Sequence, residues 1–286
     1  MGLPDQLLLV NILPDSSCVS SLVPAGAQGG SVARAILESK KFTVRALTRD
    51  VTQPNAQALR DLGAEVVKGD LNDEKSVEAT LKGAYGAFLA NASLCIKDLL
   101  LSPRGRWWQT WPSLGLKHVV YSGLEHGEVE EHFWAAGVPM TSVRVAAYFE
   151  NFLTAWKPAK APDGDYYSLV LPMGDVPMDG ISVADIGAAV SSIFNSPEEF
   201  IGKAVGLSAE KLTVQQYADV LSKGRTKLHT EAYKKLGFPM AEEIANMCLF
   251  YQMKPDRDVK LTHRLNPKVK SFSQFISENK EAFKGL

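Results

Sequence analysis

The sequence predicts an α/β protein, a doubly wound parallel sheet followed by a smaller C-terminal α/β lobe, and three observations carry that reading. Between residues 25 and 145 short β-rich runs alternate with amphipathic helical stretches. A glycine-rich turn stands between the first run and the first helix, and past residue 145 the alternation yields to turns and helices. The 286 residues suit two domains or one large one and are ample for a buried core. The first domain is expected over 1–150, continuing in part to 195, and the smaller lobe over 151–286.

The elements follow in order. A first strand over 18–23 carries Ser20 and Ser21 among apolar residues. Gly26-Ala27-Gln28-Gly29-Gly30 opens a helix over 31–39, in which Val32, Ala33, Ile36 and Leu37 share one face. A strand over 42–48, a helix over 55–62, a strand over 64–67 ending in Gly69-Asp70, a helix over 73–82 and a strand over 84–90 repeat the βα unit. The next crossover breaks the pattern. A short helix over 94–101 precedes irregular chain in which Pro103 and Pro112 bracket Trp107, Trp108 and Trp111. These tryptophans are expected to lie on the sheet, because a base-stacking surface needs a basic groove or several positioned strands beside it. A strand over 117–122, a helix over 127–136 with Glu128, Glu130 and Glu131 outside, and a strand over 140–145 complete the domain. Right-handed crossovers then make one doubly wound sheet. In the lobe, turns occupy 158–165 and 172–180, and helices are expected over 183–194, 214–222, 230–236, 240–251 and 272–283. Ser182 with Asp185 three residues on reads as a capping box for the first of these.

Composition excludes several functions. Thirty-one basic against 32 acidic side chains leave a formal charge of −1, which gives no general electrostatic grip on nucleic acid. No apolar run approaches the roughly 18–20 residues of a membrane span. The apolar stretch 7–13 follows Asp5 and no basic residue, so it is not read as a secretory signal, and Gln6 replaces the Ser or Thr of a myristoylation signal. Cys18, Cys95 and Cys248 are odd in number, far apart and in no CxxC pattern, as for free thiols in a reducing compartment. The sequon Asn91-Ala92-Ser93 carries no meaning in a cytosolic chain.

The chemistry concentrates at the glycine turn. Between strand and helix such a turn sets backbone N–H groups and the positive end of a helix dipole against a pyrophosphate. Gly26-Ala27-Gln28-Gly29 supplies the last four positions of a G-x-G-x-x-G fingerprint, and Pro24 occupies the first. Arg49 ends the second strand 23 residues beyond Gly26. An acidic residue there hydrogen-bonds a ribose 2′-OH, whereas arginine accommodates the 2′-phosphate of NADP. Asp50 would repel that phosphate if it pointed inward. Asp70, closing the third strand, sits where side chains approach adenine. No tyrosine has a lysine four residues on, the spacing by which short-chain dehydrogenases activate a tyrosine acid. HExxH, GxSxG and Walker sequences are absent, and the five histidines are read as surface or core residues, not metal ligands.

Five stretches together resemble a known family: Gly26 to Arg34, Val44 to Arg49, Gly63 to Asp70, Val119-Val120-Tyr121-Ser122-Gly123, and Tyr148-Phe149-Glu150-Asn151. The chain resembles the NmrA-like family of atypical short-chain dehydrogenases, and most of all its vertebrate NADPH-sensing members, from about Ala25 to Leu286. The resemblance implies a Rossmann-like domain with a small α/β lobe that binds NADP(H) without robust catalysis. It implies a possible homodimer, or exchange of regulatory and metabolic protein partners with the NADPH/NADP ratio, in cytoplasm and nucleus, with no direct nucleic-acid or membrane contact. By position, the dinucleotide would lie on Ala25, Gly26, Ala27, Gln28, Gly29, Arg49, Asp70 and Asn91, with Tyr148, Phe149, Glu150 and Asn151 at the nicotinamide end. The departures are Pro24, the absence of a basic residue shortly after Arg49 (Asp50 to Gln53), a divergent crossover over 94–114, and a missing segment near Glu125 to Gly127 that holds a lysine in relatives. They imply weakened NADP(H) affinity. An NADPH-dependent reductase, and a cofactor-free interaction module, are the alternative readings.

Overall fold

The computed structural model describes residues 8–9, 18–22, 27–70, 73–90, 111, 113–123, 128–160, 167–222, 241–253 and 257–283. Pro24, Ala25, Gly26, Asn91, Trp107, Trp108 and the helices expected over 94–101 and 230–236 lie outside these residues. The chain forms two compact units, 1–145 with 184–205, and 146–183 with 206–286.

The first unit is built on strands β1 (Leu8–Leu9), β2 (Cys18–Leu22), β3 (Thr43–Thr48), β4 (Glu65–Lys68), β5 (Gly86–Ala90), β6 (His118–Gly123) and β7 (Met140–Val145), and on helices α1 (Ala27–Ser39), α2 (Pro54–Asp61), α3 (Glu74–Leu81) and α4 (Glu128–Ala135). The remaining elements are β8 (Ala147–Tyr148), β9 (Ala159–Lys160), β10 (Tyr167–Ser168), β11 (Met178–Ile181), α5 (Val183–Phe194), α6 (Pro197–Phe200), β12 (Ala204–Leu207), β13 (Glu210–Leu212), α7 (Val214–Ser222), α8 (Ala241–Gln252), α9 (Val259–Leu265) and α10 (Phe272–Glu278).

The large sheet runs β12-β7-β6-β5-β2-β3-β4, with β1 antiparallel to β2. From β4 to β7 the pairings are parallel, and strand order reverses beside β2, the topology of a doubly wound Rossmann-like sheet. The other described strands and helices expected up to residue 145 recur within one or two residues, whereas α1 starts at Ala27, four residues before the expected Ser31. Central strands β5 and β6 are buried throughout, and β5 accordingly reads as a continuous apolar run, while β6 also buries the polar His118 and Ser122. On α1 the helical stripe Val32, Ala33 and Ile36 is fully buried. Trp111 is buried too, stacked on Phe133 of α4 at 5.6 Å, with Tyr121 of β6 edge-on to the same ring at 5.3 Å.

Two features of this unit depart from the sequence reading. Strand β12 was not foreseen: its Ala-Val-Gly-Leu run is short, and the chain is held there by non-local bonds such as Ser142 N–H to the Lys203 carbonyl at 2.9 Å. Glu130, expected on the outer face of α4, is buried. Its carboxylate accepts from Ser142 Oγ at 2.9 Å and from Arg144 Nη2 at 2.8 Å. Helical spacing counts a glutamate as solvated unless a cation on the neighbouring strand gives it a partner, and Arg144 does so.

His118 illustrates a histidine spent on the core. Thr141 gives its hydroxyl proton to the Phe200 carbonyl at 2.8 Å, so His118 Nε2, 2.7 Å from Thr141 Oγ1, is the donor in that pair. Its Nδ1 is buried with no partner among the described residues, and Phe194 lies against the ring at 5.2 Å. Protonation would place an N–H where nothing accepts it, and burial pushes the imidazole down to about 4 from an ordinary 6.5. The unfolded chain therefore takes up a proton first as pH falls. Stability from neutral His118 is complete above about pH 6.5 and lost progressively toward pH 4, about 3 kcal/mol in all. Urea unfolding at pH 7 and pH 4 is expected to show this loss, and His118→Gln should remove most of it.

The second unit carries the three-stranded sheet β13-β11-β8, antiparallel between β13 and β11 and parallel between β11 and β8. An aromatic cluster of Phe149, Phe152, Tyr217, Phe272 and Phe275 packs at centroid distances of 4.7–5.7 Å. Gly180 admits it: a Cβ there would stand 2.4 Å from both the Phe149 ring and the Tyr217 hydroxyl. The helix expected over 272–283 begins with a capping box between Ser271 and Gln274 and ends at Glu278, giving way to a 3₁₀ turn, Lys280–Phe283. Helix α9 went unread; Asp258 caps it by accepting from Leu261 N–H at 2.8 Å.

Candidate functional site

Parallel α/β sheets bind ligands at the carboxyl ends of their strands, near the point where strand order reverses. In the first unit that edge gathers residues from four elements. The first turn of α1 holds Ala27, Gln28 and Gly29. Gln28 Nε2 donates to Ser122 Oγ at the end of β6, 2.9 Å away, and both side chains are buried. Ser31 fixes the same turn from below: its hydroxyl donates to the Ala184 carbonyl at 2.7 Å and accepts from Gly187 N–H of α5 at 3.0 Å. A Cβ on Gly187 would meet the Ser31 carbonyl oxygen at 2.2 Å, so glycine is what lets the two helices approach.

Arg49 is exposed immediately past β3, and Asp70 is half-buried two residues past β4. Strand register pairs Thr48 with Lys68, and Gly69 N–H donates to the Thr48 carbonyl at 2.9 Å, so the two strand ends stay in step. Gly69 is required by close approach, since a Cβ would fall 2.1 Å from Ser76 Oγ and 2.2 Å from Leu47 Cδ1. Ser76 Oγ also accepts from Asp70 N–H at 3.0 Å. The Asp50 carboxylate is turned onto its own loop, accepting from Thr52 N–H at 2.8 Å, from Thr52 Oγ1 at 2.5 Å and from Gln53 Nε2 at 3.0 Å. Those bonds hold its carboxyl below the usual carboxylate range.

In the second unit Tyr148 ends β8 and begins the 3₁₀ turn Phe149–Leu153. Burial, then the Glu150 carboxylate, push its phenol up to about 12. Phe149 is a core residue of the aromatic cluster. Glu150 accepts from Ser182 Oγ at 2.7 Å and from Val183 N–H at 3.1 and 3.0 Å, which gives the start of α5 its carboxylate cap. The Asn151 carbonyl accepts from Thr154 and Trp156 N–H groups. Sequence reasoning passed over Ser122 as a site residue; its signal was its place at the end of a β-run, in Val119-Val120-Tyr121-Ser122-Gly123. Among the described residues no cluster of side chains suited to a metal ion occurs, and no helix is long and apolar enough to cross a membrane.

Comparison with known proteins agrees with this fold. A profile of the NmrA-like family matches residues 19–275. The NmrA-like family domain-containing protein 1 of Rattus norvegicus is 26% identical over 91% of this chain and 94% of its own. The NmrA-like family domain-containing oxidoreductase malD of Malbranchea aurantiaca is 30% identical over 68% of each chain. Among solved structures, NmrA, a negative transcriptional regulator in complex with NADP, superposes with a TM-score of 0.72 at 18% identity, covering 92% of this chain and 95% of that one. A Rossmann-like sheet, and a family match across nearly the whole chain, make this protein a member of the NmrA-like family.

Proposed function

We propose that this protein binds NADP(H) at the carboxyl edge of its large sheet and acts as a redox-responsive regulator through protein contacts. The observation that carries the reading is the state of Tyr148. An acid catalyst of the short-chain dehydrogenase kind works with a phenol lowered by a neighbouring lysine, whereas Tyr148 is raised to about 12 by burial and by Glu150. Occupancy without turnover suits a sensor. The residues present fit the dinucleotide. The first turn of α1 would supply N–H groups and dipole for the pyrophosphate, Arg49 would meet the 2′-phosphate, and Asp70 would approach the adenine. The Asp50 carboxylate, engaged by Thr52 and Gln53, is turned onto its own loop. When bound, the cofactor supplies a transferable hydride. In this reading Gln28 and Ser122 fix the turn against the sheet, and Tyr148 holds its proton.

No basic residue follows Arg49 in Asp50-Val51-Thr52-Gln53 to assist it, so affinity is weakened. One charge-assisted phosphate contact is worth roughly 1.5–3 kcal/mol, about ten- to a hundred-fold in Kd. Arg49→Ala is expected to reduce NADPH affinity by that factor and leave NADH binding unchanged. The check is thermal melting against cofactor concentration, since a ligand of the folded state raises the Tm by mass action. Sub-micromolar NADPH binding indifferent to Arg49 would overturn the assignment. An NADPH-dependent reductase is the second reading, favoured by the oxidoreductases among the relatives. Turnover of quinones or carbonyl compounds that disappears in Tyr148→Phe would establish it instead.

A further inference from the structure

Arg34 lies on the exposed side of α1, a helix with no acidic residue in its first turn. Helical side chains lean toward the N-terminus, and Arg34 follows that lean back to Gly30, four residues earlier. A Cβ at Gly30 would stand 3.4 Å from both Nη1 and Nη2 of Arg34, so the guanidinium rests over Gly30, in space that a larger side chain would fill. Among the described residues the guanidinium makes no hydrogen bond and no ion pair. Glu38, the acidic residue one turn further on and the usual partner at that spacing, is not engaged by it either.

A cation is out of place there. The start of a helix carries about half a positive charge, and cations stabilise the opposite end. Here a permanent cation lies against the first turn with nothing in the described chain to neutralise it. The turn is also fixed from two other sides, by Gln28 on Ser122 at 2.9 Å and by Ser31 on Ala184 and Gly187 at 2.7 and 3.0 Å. A rigid helix start with an unpaired guanidinium laid on it is complementary to an anion of more than one charge.

We propose that Arg34 binds the pyrophosphate of the dinucleotide, as a second cation of the site besides Arg49. The inference rests on the dinucleotide reading of this sheet edge and adds a residue to it. The two arginines divide the recognition. Arg49 follows β3, where the 2′-phosphate is distinguished from a bare ribose, whereas Arg34 rests on the turn whose N–H groups face the pyrophosphate. NADH and NADPH share the pyrophosphate, so Arg34 contributes affinity for both and no preference between them. Its planar fork suits two phosphate oxygens at once, which an ammonium does not match.

Titration calorimetry of the whole protein with NADPH and with NADH tests this division. Arg34→Ala is expected to weaken both about tenfold, the loss of one charge-assisted phosphate contact, whereas Arg49→Ala weakens NADPH alone. Arg34→Lys should recover only part of that loss. Without cofactor, Arg34→Ala should melt no lower than the parent, because it removes a cation from a helix start and breaks no bond. A lower cofactor-free Tm, unchanged affinity for both cofactors, or a loss confined to NADPH would each overturn the assignment. If Arg49→Ala acts as expected and Arg34→Ala does nothing, this inference falls and the dinucleotide reading stands; if the parent binds neither cofactor, both fall.

Discussion

Replacing Glu130 with alanine is expected to destabilise the protein by about 3–5 kcal/mol, because it leaves a partly buried arginine without its counter-ion. Glu130 is 3% exposed and is the acceptor for both Ser142 Oγ and Arg144 Nη2. Without it the Arg144 guanidinium, 23% exposed, keeps its charge beside a sheet with no counter-ion, and its Nε is already buried without a partner among the described residues. The ion pair itself is a weak source of stability, since desolvating two charges nearly cancels their attraction. A Glu130→Met, Arg144→Met double variant should therefore recover most of what Glu130→Ala loses. Urea unfolding of the three proteins checks both halves. A single variant within 1 kcal/mol of the parent would mean that water reaches Arg144.

Gly187→Ala is expected to be nearly as severe, at about 3 kcal/mol, although it adds one methyl group. That methyl would lie 2.2 Å from the Ser31 carbonyl oxygen and 2.4 Å from its carbon, atoms of a helix backbone that cannot rotate away. Helices α1 and α5 must then separate, and the bond from Gly187 N–H to Ser31 Oγ goes with the contact. Ser31→Ala, which removes the hydroxyl and keeps the spacing, should destabilise by only about 1 kcal/mol. Because Ser31 lies two residues past Gly29, the glycine variant is also expected to weaken NADPH binding, and a thermal melt with and without cofactor reads both effects. An unchanged Tm in Gly187→Ala would show that the helices are free to move apart.

Much of the first unit was legible because its signals are local. Val32, Ala33 and Ile36 mark a helix by spacing alone, and the apolar run 86–90 and the β-rich core Val119-Val120-Tyr121 mark buried strands. Arg49 and Asp70 could be placed at strand ends because one follows a β-run directly and the other follows it after a single glycine. Glu130, Gly187 and β12 were misread or unread for a common reason. Their partners, Arg144, Ser31 and Ser142, lie on other elements, so neither composition nor period records the contact. Glu150 is the instructive case within the predicted site. Its motif pointed to a dinucleotide, and the folded chain shows its carboxylate on Ser182 and Val183, 32 and 33 residues away.

By itself the sequence determined the α/β alternation, the glycine turn at the start of α1, the cation after β3 and the absence of a tyrosine–lysine pair, since each depends on residues within a few positions of one another. Tertiary structure alone decided the protonation of Tyr148, the seclusion of Asp50 and the clasp of Gln28 on Ser122. Those properties come from burial and from hydrogen bonds closed between distant segments, and the free energy of a buried polar group depends on what the fold brings to it.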